Sequence, residues 1–503
     1  MLGRRLRCGA VLERPTDRVK MRRSTVIGVG TGLALAGLTA CGGSDGSRLQ
    51  ATATTTTPGA TAAPSPAVGR PEAPRVPVRV VTLRGFDGPG PSRYDRVRVV
   101  RIGSPSARHV LVLLAGTSAG AGYFVPVAED LVAALPGWQV WAVDRRENLL
   151  EDHTILDRAR AGGVSGRELF DYYVGWIANP SIARHYHPPA DARVAFARRW
   201  GMRVAVEDVA RVVRAARAGG RHVVLGGHSL GGWIATAYAA WDFGGRAGAR
   251  DLDGLVLIDG ASGAAAISPA QARRTLADIG RGSPFLAPSG ARLPWVPGVL
   301  SAVGSTLAVR APNSPSLLQA WPLLPAAVKA PVPATNLAQL AYSVDTDTSP
   351  ENLAAGQAHL GGLAASGDPR GFRDGGYATA ARVARAVSGI AGADGTAWFH
   401  PRRLTLDAEA VAGGVRNGAQ AVLGLRATRG ADVHVPIYAI ETSFLHGQIL
   451  SAARGLAQRG HVAARDVTLV DRSTKDAHSD PVFDDPAHND FLATVVPFLE
   501  RIH

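Results

Sequence analysis

The sequence predicts an α/β architecture: a mostly parallel sheet of eight strands with helices on both faces, interrupted by a large, mainly helical insertion between the sixth and seventh strands. Three observations predict it. From residue 76 onward, short β-branched runs alternate with stretches of helical periodicity, which is the pattern of a parallel sheet wrapped by crossover helices. The first two runs alternate apolar with polar residues, whereas the later ones are continuously apolar, as strands covered on both faces must be. One of those later runs ends in GGHSLGG at residues 226–232, a cluster of small residues before another helical stretch.

Ahead of the sheet, residues 1–40 read as a targeting segment. Met21-Arg22-Arg23 is a positive start, residues 26–38 are a short apolar stretch, and the segment ends in LTACGGS at 38–44. Residues 1–20 form an extension or lie upstream of the true start at Met21, and Arg22-Arg23 hints at twin-arginine export. The apolar stretch is too short to cross a hydrocarbon layer of about 30 Å. The LTACGGS string resembles a bacterial lipobox, which implies cleavage before Cys41, lipid on Cys41, and a lipoprotein held at the extracytoplasmic face of the cell membrane. The other cysteine, Cys8, lies in the removed segment, so the mature chain has no disulfide. Residues 41–75 are rich in Thr, Ala and Pro with few large apolar side chains, and read as a tether.

The folded part starts with VPVRVVTL (76–83) and RVRVVRI (96–102), whose alternation suits half-exposed antiparallel edge strands. HVLVLLAG (109–116) is a buried strand leading through TSAGAGYF to a helix ending near 135, and QVWAVD (139–144) is the fourth strand. Apolar residues at three- and four-residue spacing predict a helix over 204–218, before the fifth strand HVVL (222–225). GLVLID (254–259), HVPIYAIE (434–441) and DVTLVD (466–471) complete the sheet, and DFLATVVPFLERI (490–502) closes the chain as a helix. Two excursions remain. Residues 147–201 carry the aromatic cluster FDYYVGW, where Tyr172, Tyr173 and Trp176 are expected to pack beneath the insertion. Residues 263–431 hold amphipathic pieces joined by Pro-rich turns. The boundaries are thus 76–262 and 432–503 for the sheet domain and 263–431 for a cap.

Gly227-His228-Ser229-Leu230-Gly231 places a serine at a sharp strand-to-helix turn, with small neighbours that let strand and helix approach closely. With the preceding strand and the following WIATAYAAW (233–241), the turn resembles the nucleophile elbow of the α/β-hydrolase family. The order and number of strands resemble that family's eight-stranded sheet. The resemblance implies a serine hydrolase, with carboxylic ester hydrolysis the leading reaction and a small-molecule ester or acyl compound as substrate; thioester, lactone or peptide hydrolysis stays open. A serine at the elbow argues against the haloalkane dehalogenase and epoxide hydrolase branches, which carry aspartate there.

A serine hydroxyl needs a base, and the base needs an acid to fix its tautomer. The family order of Ser, acid, His puts the base after the last strand, where His478 lies in STKDAHSDPVFDD; His488 and His503 are rivals. Two acids compete: Asp259 at the end of the sixth strand, which is favoured, and Glu441 at the end of the seventh, the commoner family position. There the family has a Gly and then an acid beyond the strand, but this sequence reads Glu441-Thr442-Ser443-Phe444. The two amide donors for a developing oxyanion fall to Leu230, after the nucleophile, and Thr117 in the loop after the third strand, with Ser118 as alternative.

Other readings are excluded or bland. The net charge of +14 is almost all arginine, since the lysines are Lys20, Lys329 and Lys475, and no basic block is interleaved with aromatics. No nucleic-acid partner is therefore expected. The Gly-rich loop at 115–120 lacks GKS, GKT and dinucleotide-binding spacing, and no cofactor is implied. His185 and His187 have no nearby carboxylate in sequence and read as loop residues, so no metal is expected. His228 reads as a packing or hydrogen-bonding residue. The competing class is a non-catalytic envelope protein that keeps the scaffold for binding or structure.

Overall fold

The computed structural model describes residues 76–263, 265–287 and 293–502. The targeting segment, Cys41, the tether and His503 lie outside these. Eight strands form one sheet: β1 (Val78–Arg84), β2 (Arg96–Gly103), β3 (His109–Leu114), β4 (Trp138–Val143), β5 (His222–His228), β6 (Gly254–Ile258), and then, beyond a separate hairpin of β7 (Gly361–Gly367) and β8 (Arg370–Asp374), β9 (Ile437–Glu441) and β10 (Val467–Asp471). The sheet order is β1-β2-β4-β3-β5-β6-β9-β10. β1 pairs antiparallel to β2 and β2 antiparallel to β4, while all other neighbours in the sheet run parallel. This is the α/β-hydrolase fold.

Alternate residues of each strand feed opposite cores, as the two-residue period of a strand requires. Val110, Val112, Val223, Leu225, Leu255 and Leu257 face one layer with the helices Met202–Arg217, Leu230–Ala239 and Gln448–Arg459. Leu111, Leu113, Val224, Val256, Ile258 and Ile440 face the other, with Val125–Ala134, Ala380–Ser388 and Asp490–Glu500. Met202–Arg217 shows how directly the pattern decides the packing: Met202, Val206, Val209, Val213 and Ala216 are its buried stripe.

Two expectations are corrected. β2 is an interior strand whose Val97, Val99, Val100 and Ile102 are buried. The polar residues that gave it an edge-like alternation are arginines whose ends are accommodated locally, as when Arg101 lies 3.8 Å over the Trp141 ring. The insertion, read as helices and loops, also contains the β7–β8 hairpin. Its strands GGLAASG and RGFRD carry too few apolar residues to show a two-residue period.

The insertion is fused to the rest. A third core joins Leu150, Ile155, Tyr173, Tyr186 and Trp200 of the first excursion to Trp295, Val299, Leu307, Trp398 and Phe399 of the insertion, with Tyr172 and Trp176 packed against it. Among the described residues no helix is long and apolar enough to cross a membrane.

Candidate active site

The parallel strands end level with one another, so the loops beyond β3, β5, β6 and β9 meet at the carboxyl edge of the sheet. Ser229 stands at the apex of the turn after β5, with φ +53° and ψ −126°. That region is sparsely populated for a residue with a side chain and costs on the order of 1–3 kcal/mol. The surroundings enforce it. The Ser229 amide donates to the Ile258 carbonyl at 2.9 Å, and the Gly232 amide donates back to the Ser229 carbonyl at 2.9 Å. A Cβ on Gly231 would lie 1.9 Å from the Leu114 carbonyl oxygen, and one on Gly232 1.9 Å from that of Gly260. Only glycine lets the turn pack between β3 and β6.

His478 lies beyond β10 in a short loop, nearly fully buried. Its Nδ1 is 2.5 Å from Oδ2 of Asp259. Its ring lies between His228, at 4.4 Å, and Phe444, at 4.5 Å. His228 also holds the loop backbone, because its Nε2–H donates to the His478 carbonyl at 2.9 Å while its Nδ1 accepts from the Tyr123 hydroxyl at 3.1 Å. Burial, reinforced by His478, pushes His228 down to about 3, so this neighbour of the serine is neutral.

Asp259 follows β6 with φ +39°. Its Oδ1 accepts the Thr442 amide at 2.9 Å, and its Oδ2 accepts the Thr442 hydroxyl as well as His478. Burial alone would raise this carboxyl, but the hydrogen bonds from His478 and Thr442 outweigh it and hold Asp259 below the ordinary carboxylate range. Glu441 is placed differently. It is equally buried, but its Oε2 accepts the Leu450 amide at 3.1 Å in the first turn of the helix Gln448–Arg459. Its carboxylate thus serves a helix N-terminus, and it makes no contact with His478. His488 is exposed, 6.2 Å from the Tyr377 ring, and does not reach Asp259.

Leu230 and Thr117 are both nearly buried and line one small space with Trp233, Thr405, Ala408 and Glu409. Neither of their backbone amides has an acceptor among the described residues. Ser118, with φ +56°, is occupied in the insertion's docking, since its carbonyl accepts the Ala397 amide at 2.8 Å. The Ser229 hydroxyl has no hydrogen bond to His478 in this structure. Sequence reasoning missed Thr442 and Tyr123: a threonine after a strand and a tyrosine in a helix-leading loop carry no signal until the strand order brings them to Asp259 and His228.

His185 stacks on Trp176 at 4.2 Å, and among the described residues no carboxylate joins it and His187 in a metal-ligating group. The described residues that could hold a metal are Glu151, His153 and Asp394, whose ligand atoms lie within 4.8 Å of one another. Arg160 pairs with Asp394 at 3.1 Å, and the Trp398 amide donates to Glu151 at 2.7 Å. This group ties the first excursion to the insertion.

No protein-family model matches the sequence, and no curated protein matches it. Solved structures do resemble it at low identity. A protein of Sulfolobus solfataricus assigned as a lipase is 13% identical, covering 86% of this chain and 98% of its own, with a TM-score of 0.46. A thermophilic esterase from Thermogutta terrifontis is 12% identical over 84% of this chain and 99% of its own, with a TM-score of 0.37. The thioesterase domain from the curacin biosynthetic pathway is 13% identical over 84% and 99%, with a TM-score of 0.38.

Proposed function

We propose that this chain is a serine hydrolase that cleaves carboxylic esters through Ser229, His478 and Asp259. The observation that carries the reading is the 2.5 Å contact between His478 Nδ1 and Asp259 Oδ2, beside a strained serine turn. Asp259 holds the imidazole with Nδ1 protonated, which leaves Nε2 to accept the Ser229 proton. The Ser229 oxygen bonds to the ester carbonyl carbon, and the developing oxyanion is received by the Leu230 and Thr117 amides. The His478 proton then passes to the departing alcohol as the C–O bond breaks. Water, deprotonated by His478, releases the acid from the acyl-enzyme and restores Ser229.

A second reading, an envelope protein that binds without turnover, is favoured by the missing Ser229–His478 hydrogen bond. Such bonds are often long in unliganded hydrolases and tighten with substrate. Labelling with a fluorophosphonate probe decides between the two. Labelling of the wild type that is absent in Ser229→Ala supports the hydrolase, and an unlabelled wild type overturns it.

Export and lipid anchoring at Cys41 complete the proposal, resting on the LTACGGS string and the tether at 41–75. Mass spectrometry of the mature N-terminus tests it: a diacylglyceryl-modified Cys41 is expected, and an unmodified or internal Cys41 refutes the anchor.

A further inference from the structure

Two spaces adjoin residues of the proposed site, one at Leu230 and Thr117 and one at His478, and they differ in size and chemistry. The space beside Leu230 and Thr117 is a void of about 20 Å³. The cleft beside His478 is about 510 Å³ and is walled jointly by the insertion and by the loops after β9 and β10. Since a base returns its proton to the leaving alcohol, the alcohol half of an ester must lie on the side of His478. The larger of the two spaces is thus the one on the side of the leaving alcohol.

Several polar side chains facing this cleft are free to bond a ligand, although Gln357, Ser473 and Lys475 are engaged within the protein. Thr346, Glu351, Ser443, His446 and Thr474 line it, and none of their side-chain polar atoms has a hydrogen-bond partner among the described residues. His359 joins them in a fixed orientation. Its Nδ1 is 2.6 Å from Oδ2 of the fully buried Asp480, whose carboxylate also accepts the His359 amide at 2.9 Å and the Ala477 amide at 2.7 Å. Nε2, on the opposite side of the ring, has no hydrogen-bond partner among the described residues. Asp480 raises the His359 imidazole above its ordinary value, favouring a donor at Nε2.

The charge balance argues against an anionic group. Glu351 puts a carboxylate on the cleft, and the Lys475 ammonium is already paired with Asp490 at 2.5 Å. An apolar alcohol fits worse, because each hydroxyl it covers without pairing costs roughly 1–3 kcal/mol. Mixed donors and acceptors match a group that is itself a row of hydroxyls.

We propose that the cleft beside His478 is a leaving-group subsite for a neutral, hydroxyl-rich alcohol, a polyol or a sugar, with His359 as a specificity-determining residue that grips one of its hydroxyls. This rests on the serine-hydrolase reading above.

The test compares acetyl esters of glycerol, glucose, 1-hexanol and lactate on the full-length protein, so that only the alcohol changes. The glycerol or glucose ester is expected to exceed hexyl acetate in kcat/KM by about tenfold or more, the discrimination that one paired hydroxyl gives. His359→Leu is expected to cut that ratio at least about threefold, mainly through KM. Thr474→Leu does the same from an exposed position whose side chain has no hydrogen-bond partner among the described residues, so it serves if His359→Leu does not fold. Equal or better turnover of the hexyl ester overturns the proposal. So does preference for the lactate ester, or an equal fall for all esters in both variants. Fluorophosphonate labelling of Ser229 runs alongside. Without labelling the hydrolase reading itself fails, whereas labelling without alcohol preference removes only the subsite.

Discussion

Asp259 and Glu441 are chemically alike, equally buried, and sit at the ends of two neighbouring strands of the sheet, β6 and β9. What separates them is what their oxygens meet: an imidazole and a threonine in one case, a helix N-terminus in the other. Asp259→Asn keeps the shape but loses the acceptor that selects the tautomer of His478, and kcat is expected to fall roughly 10³–10⁴-fold. Glu441→Gln keeps fluorophosphonate labelling at the wild-type rate and lowers thermal stability instead. If the two variants exchange these phenotypes, the assignment of the acid is wrong. Gly260 gives a second test at the same place. A Cβ there would lie 1.9 Å from the Ser229 carbonyl oxygen. Gly260→Ala is therefore expected to displace the serine turn and abolish labelling, and a normally labelled variant would show that the turn can give way.

The helix Arg402–Ala410 of the insertion is fastened to the helix Met202–Arg217 of the sheet domain through one carboxylate. Asp407 accepts the Met202 amide at 2.9 Å, at the start of the second helix, and pairs with Arg403 at 2.7 Å. Removing it leaves the buried Met202 amide without an acceptor and the part-buried Arg403 guanidinium with the Leu423 carbonyl alone, so Asp407→Ala is expected to cost about 2–4 kcal/mol by chemical denaturation. Burial pushes Asp407 up to about 6, against an unfolded value of about 4. Between those values the folded chain holds a proton that the unfolded chain has lost, and its contribution to stability falls as pH rises. The Tm of wild type relative to Asp407→Asn should therefore decline from pH 4 to pH 6 and level off above it. A flat difference across that window would remove the linkage.

The insertion contributes to every large core of the molecule. Leu404 and Leu406 enter the core on one face of the sheet, Val383 and Val387 the other, and Trp398 the third. A lid that merely rested on a finished domain would unfold separately. This packing predicts a single cooperative transition by near- and far-ultraviolet circular dichroism, and a chain lacking residues 263–431 that does not fold. Two resolved transitions would show the insertion to be an independent unit.

The sequence by itself determined the strand series, the helix stripe of Met202–Arg217, the serine turn and the position of His478. These are local: a strand, an amphipathic helix and a strained turn each leave their period or their small residues within a dozen positions. The hairpin in the insertion left no such trace, because GGLAASG and RGFRD have no apolar alternation. The interior place of β2 was hidden by the arginines along it. Only the tertiary structure decided which acid meets His478, since Asp259 and His478 stand 219 residues apart and are joined by the order of strands across the sheet. It also decided that the polar residues of the insertion and of the loops after β9 and β10 share one cleft. Contact between distant residues is a property of how the layers stack, and a chain read residue by residue does not carry it.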